Sequence, residues 1–164
     1  MKAVALFGAL LLGTSLTAAE LPELKNADAV KRVVRESPRT LRVLNLWATW
    51  CAPCVAEMAD LRTISEQFAE IELIGVSLDD AIPGDRNETK KKVARFLQQR
   101  QIRYRNFYFT GSTNDLATAL NFEGELPITF IYDANKKELA RIQGMIDRKD
   151  LAARLNTFLK GKRR

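Results

Sequence analysis

Two cysteines, Cys51 and Cys54, are the only ones in the chain, and just two residues separate them. A pair so spaced serves as a redox dithiol or as half of a metal site, and a disulfide across so short a loop adds little stability by closing it. The residues before it, Leu41-Arg42-Val43-Leu44-Asn45-Leu46-Trp47, form a nearly continuous apolar run. That is the pattern of a strand covered on both faces. From Cys54 onward, Val55, Met58, Leu61, Ile64 and Phe68 recur every three or four residues, predicting an amphipathic helix to about Ala69. The cysteines therefore stand where a buried strand turns into a helix. Cys51 falls at the helix start, where free backbone N–H groups and the dipole favour a thiolate, and Cys54 lies one turn further in.

The chemistry of that placement has a size. Lowering a thiol pKa from about 8.5 to about 7 raises the thiolate fraction at pH 7 roughly fifteen-fold, and the accompanying loss of nucleophilicity takes back about six-fold. Attack gains only a few-fold. The larger effects fall on Cys51 as a leaving group and on the reduction potential.

Composition narrows the alternatives. The chain contains no histidine, which excludes a Ser-His-Asp triad, a Cys-His pair and any histidine-ligated zinc or copper. Its 26 basic and 20 acidic residues give a formal charge of +6 with the signs intermixed, so nucleic acid is not an expected partner. Zinc needs four ligands and one Cys-x-x-Cys supplies two, so no metal is expected. A copper(I) chaperone remains the alternative from another class, since soft sulfur suits that ion, although Thr49 stands where such carriers place methionine. A Pro-x-x-x-Thr-x-x-Cys peroxidase motif is absent.

The N-terminus reads Met1, Lys2, the apolar run Ala3 to Leu12, then small residues to Ala19, the layout of a secretory signal peptide. Cleavage is expected after Ala19, with an uncleaved anchor as the alternative, the run being shorter than the roughly 20 residues of a bilayer span. Residues 20–164 then form one domain, large enough for a core without structural disulfides. Along it the expected elements are a helix over Asn26 to Glu36, the strand and helix above, a strand over Ile71 to Leu78, and a loop over Asp79 to Asn87. A helix over Glu88 to Arg100, a strand over Tyr104 to Phe109 and a short helix over Asn114 to Leu120 follow. Ile128 to Tyr132 and Glu138 to Gln143 form a hairpin, and Asp147 caps a last helix carrying Leu151, Leu155, Phe158 and Leu159. The tail from Lys160 to Arg164 reads as a solvated charge run. Two parallel strands joined by a helix, then a helix, a hairpin and a final helix follow the order of the thioredoxin fold.

With Trp50-Cys51-Ala52-Pro53-Cys54 after a strand, the chain resembles the thioredoxin superfamily. The longer segment Leu44 to Cys54 with Glu57-Met58 is similar to its TlpA/ResA branch, and the resemblance continues through Ile74 to Asp79 and Leu126 to Asp133. It implies an α/β thioredoxin fold, a central mixed sheet flanked by helices with an insertion before a cis-proline strand. It also implies an exported, monomeric disulfide reductase with Cys51 and Cys54 as its redox-active disulfide and no other cofactor. Its partners would be disulfide-containing proteins, such as apocytochrome c or copper-site polypeptides, and a membrane thiol donor.

By the same resemblance Pro127 is cis and lies beside the cysteines, and Trp50, Pro53, Leu126 and Pro127 face the substrate. Asn45 stands where thioredoxins carry a buried acid. Glu57 is then the catalytic carboxylate within reach of the cysteines, since helical side chains lean toward the N-terminus; the plain alternative is an exposed helix glutamate. Trp47 and Phe130 either line the site or fill the core. Two departures are visible. The helix at Asn26 stands where relatives begin with a strand or hairpin, and Ala59 replaces a proline that would kink the active-site helix.

Overall fold

The computed structural model describes residues 21–161, so the expected leader over 1–19 and the last residues of the basic tail lie outside them. In chain order the elements are β1 (Glu23–Leu24), α1 (Ala27–Arg35), β2 (Leu41–Trp47), α2 (Ala52–Gln67) and β3 (Ile71–Ser77). A 3-10 turn (Asp79–Ala81) leads to α3 (Arg86–Gln99), β4 (Arg105–Phe109) and α4 (Thr113–Leu120). The chain then forms β5 (Ile128–Asp133), β6 (Glu138–Gln143) and α5 (Arg148–Gly161). The strands make one six-stranded sheet in the order β1-β4-β3-β2-β5-β6. β1 to β4 run parallel, while β5 is antiparallel to β2 and to β6. α3, β4 and α4 occupy the stretch expected as an insertion between β3 and β5.

β2 is central, and all seven of its residues are buried. Side chains alternate across a strand, so Leu44 and Leu46 join α1, α4, Phe107 and Phe130 on one face. Leu41 and Val43 meet α2 and α5 on the other. At the C-terminal end of β2 a third cluster gathers Trp47, Cys51, Cys54, Met58, Val93 and Tyr108, so the cysteine pair is built into apolar packing beneath α3.

One glycine is required there. A Cβ on Gly75 would stand 2.0 Å from Asn106 Oδ1, the atom that accepts a hydrogen bond from Trp47 Nε1 at 3.1 Å. The bare backbone of β3 lets that bond fix the end of β2.

Several expectations need correction. Among the described residues a strand does precede α1: β1 is only two residues long and pairs with Tyr108 and Phe109 of β4. So short an element has no periodicity to read. The loop after β3 contains the 3-10 turn, and α3 starts at Arg86, with Asp85 as the cap accepting from Glu88 N at 3.0 Å. The stripe on α2 is Cys54, Glu57, Met58, Leu61 and Ile64; Val55 and Phe68 are only half-buried, and the helix ends at Gln67. Trp47 and Phe130 are wholly buried core residues, not a lining of the surface.

Candidate functional site: the cysteine turn and its acids

Cys51 is the N-cap of α2, and its Sγ accepts the Cys54 backbone N–H at 3.3 Å. Pro53 fits in the first turn because the amide it lacks would have no helical partner there. The two sulfurs are joined as a disulfide. Cys51 is 6% exposed and Cys54 fully buried, so an incoming group meets Cys51 first. Trp50 is half exposed and Pro53 exposed, whereas Leu126 is half-buried and packs against the cysteine cluster. The Leu126–Pro127 bond is cis, and Pro127 O accepts from Gly144 N at 2.9 Å. A cavity of about 400 Å³ between α1, α4 and the β5–β6 hairpin, lined by Lys31, Leu44, Tyr132 and Arg141, holds none of these residues. The disulfide is nearly buried, and what exposure it keeps is on Cys51.

Glu57 is one turn beyond Cys54 and only 1% exposed. Its Oε1 accepts from Asn45 Nδ2 at 2.8 Å, and its Oε2 accepts from the Ile146 backbone N–H at 2.8 Å. Burial pushes its pKa above the ordinary carboxylate range; the Ile146 and Asn45 donors oppose the shift, and the charge of Asp60 adds to it. Asn45 also donates to Thr129 Oγ1 at 3.0 Å, so the amide bridges β2, α2 and β5. The strand thus supplies a donor where thioredoxins carry an acid, and the acid comes from the helix.

The sequence reading missed a second buried carboxylate. Asp79, 3% exposed, follows β3 and accepts the Thr49 N–H at 3.1 Å through each of its oxygens. The Thr49 hydroxyl donates to its Oδ1, and the Ser77 hydroxyl donates to its Oδ2 at 2.6 Å. The signal was the register: Trp47 pairs with Ser77 in adjacent parallel strands, so residues two further on, Thr49 and Asp79, come together.

Against known proteins, the chain is 28% identical over 116 residues to the thiol-disulfide oxidoreductase ResA of Oceanobacillus iheyensis, covering 70% of this chain and 55% of that protein. It spans about half the length of the curated relatives it matches. The thioredoxin-related protein from Neisseria meningitidis serogroup B superposes with a TM-score of 0.62 at 26% identity, over 77% of this chain and 90% of that one. StoA from Bacillus subtilis shares the fold alone, with a TM-score of 0.58 at 15% identity over 71% and 82% of the two chains. The AhpC/TSA family matches residues 16–159, and since that stretch contains the whole sheet, the cysteine turn, Glu57 and Asp79, the chain belongs to this family of the thioredoxin superfamily.

Proposed function

We propose that the protein is an exported thiol-disulfide oxidoreductase working mainly as a protein-disulfide reductase. The observation that carries this reading is the Cys51–Cys54 disulfide at the start of α2, with Trp50 half exposed before it and Leu126, which precedes the cis Pro127, packed on the same cluster. Similarity to oxidoreductases of the ResA type supports it, and so does the lack of a peroxidase motif. In the reduced protein the Cys51 thiolate attacks a substrate disulfide, forming a mixed disulfide and expelling one substrate thiolate. Cys54 then attacks Cys51 Sγ, releasing the second substrate thiolate and closing the Cys51–Cys54 bond. Two electrons have passed to the substrate, and a membrane thiol donor returns them.

Cys54 must lose its proton in an apolar setting that raises a thiol pKa. Glu57, whose own pKa burial raises, is the acceptor, because a base nearer the working pH takes a thiol proton more readily than an ordinary carboxylate. Trp50, Pro53, Leu126 and Pro127 face the substrate polypeptide, for which apocytochrome c or copper-site cysteines are suitable examples. The chain acts as a monomer released by cleavage after Ala19. Equilibration with thiol redox buffers measures the reduction potential. A value well below the compartment's poise is expected, while one near the strong oxidants, about −120 mV, reverses the direction assigned.

A further inference from the structure

We propose that Asp79 is a positioning residue for Cys51: its buried carboxylate holds the Ala48–Cys51 turn and so seats the Cys51 sulfur against the first amides of α2. The inference rests on the oxidoreductase reading only in giving that sulfur a task.

The turn is short and fastened at few points. Trp47 O accepts from Leu78 N at 2.8 Å, and Cys51 N donates to Ala48 O at 3.2 Å. Between those bonds the chain must leave the sheet, reverse, and enter a helix. Thr49 is the middle of that path, and both its amide and its hydroxyl end on Asp79. Every bond accepted by the carboxylate comes from an uncharged donor, Thr49 or Ser77, and no ion pair involves it among the described residues. A buried anion is costly unless its oxygens are hydrogen-bonded, so its presence is accounted for by the donors it organises.

Asp79 is itself held firmly. Its N–H donates to Ser77 Oγ at 3.3 Å, and the Ile82 and Ala81 amides close the 3-10 turn behind it. The next residue, Asp80, pairs with Arg86 at 2.9 Å and accepts from the Tyr108 hydroxyl at 3.2 Å. Ser77 at the end of β3 thus holds Asp79 directly, while the start of α3 and β4 hold the next residue of the same turn; the Thr49 contact lies two residues of chain before Cys51. Two effects of Asp79 on Cys51 have opposite signs. As a charge it disfavours a thiolate nearby. As a clamp it favours one, by keeping Sγ where the Cys54 N–H reaches it.

The pH dependence of Cys51 alkylation in the reduced protein separates these effects, read beside Thr49→Val, which keeps the Asp79 charge and loses only the hydroxyl bond. Positioning predicts that Asp79→Ala moves the alkylation midpoint up by about one unit, a roughly ten-fold loss of thiolate below it, and that Thr49→Val moves it the same way by less. Asp79→Asn, which restores one acceptor oxygen without charge, should recover part of the shift. A midpoint that falls in Asp79→Ala and stays put in Thr49→Val shows a charge acting through space and overturns the proposal. A lower melting temperature with every midpoint unchanged overturns it too, by making Asp79 a stabilising residue only. Alkylation needs no substrate, so failure of the wild-type protein to reduce disulfides would sink the oxidoreductase reading and leave this comparison decisive.

Discussion

Replacing Glu57 by glutamine removes a charge and a proton acceptor while keeping the side chain's shape, and the structure fixes what each loss does. The carboxylate accepts from Asn45 and from the Ile146 amide. A glutamine oxygen keeps one of these bonds, and its NH₂ then faces the other donor unless Asn45 turns over. Asn45 Oδ1 is buried with no partner, so the turned amide has an acceptor to offer. The net loss is about one hydrogen bond, roughly 0.5–1.5 kcal/mol.

The charge works the other way. Burial raises the folded pKa of Glu57 above its unfolded value. Between those two values the native state binds more protons than the unfolded state, so stability falls as pH rises through that window. Each unit of elevation is worth about 1.4 kcal/mol. Glutamine has no such slope. Urea unfolding of the oxidised protein from pH 4 to pH 8 should therefore show Glu57→Gln gaining on the wild type as pH rises from the ordinary carboxylate range through the raised value, then holding a constant difference.

Kinetics should move oppositely. Losing a positioned base costs about 100-fold or more, so the mixed disulfide on Cys51 should decay that much more slowly in single-turnover reduction. The Cys51 alkylation midpoint should fall as a neighbouring negative charge disappears. Parallel stability curves together with unchanged decay of the mixed disulfide would refute the reasoning and return Glu57 to a purely structural place.

Cys54→Ser should accumulate mixed disulfides with partner proteins in the cell and Cys51→Ser should not, since Cys51 is the sulfur a partner meets first; equal trapping on non-reducing gels would defeat that order of attack. Deleting residues 1–19 should leave melting and disulfide exchange intact and abolish export, because Leu21, the first described residue, stays to pack into the cysteine cluster. Activity seen only with the segment attached would make it part of the fold.

Most of the fold was legible because its signals are local. β2 and β3 read as apolar runs, the β5–β6 hairpin as two runs around Asp133 to Lys137, and the helices by their three-to-four spacing. β1 was not, since its two residues are a strand only because Tyr108 N donates to Pro22 O and Thr110 N to Leu24 O, bonds made with a segment far along the chain. The site divides in the same way. The cysteines, Pro53 and the turn of helix that holds them are contiguous in sequence. The burial of Glu57 was half visible: position 57 falls in the stripe of Cys54, Met58 and Leu61, yet a carboxylate there is tolerable only if donors meet it, and those come from Asn45 and Ile146. Asp79 needed strand register, which no single window of sequence contains.

The exposed apolar residues give the arrangement a direction. Among the described residues Trp50, Ile82 and Met145 are the large hydrophobic side chains left most open to solvent. Each is tied by the backbone to the cysteine site from a different element. Trp50 precedes Cys51 and follows Thr49, which Asp79 holds. Ile82 closes the 3-10 turn by donating to Asp79 O at 3.3 Å. Met145 precedes Ile146, whose amide holds Glu57, and follows Gly144, whose amide holds Pro127 O. The backbone groups that bond to Glu57 and Asp79 thus lie within one residue of each exposed apolar side chain or belong to it. Exposed apolar side chains gain about 25 cal/mol for each Å² they bury, so on the proposed function Trp50→Ala, Ile82→Ala or Met145→Ala should weaken binding of a polypeptide substrate while leaving exchange with a small thiol unchanged. Because Glu57 holds the Ile146 amide and Asp79 the Thr49 amide, replacing either acid should, on the proposed function, change substrate binding as well as bond exchange.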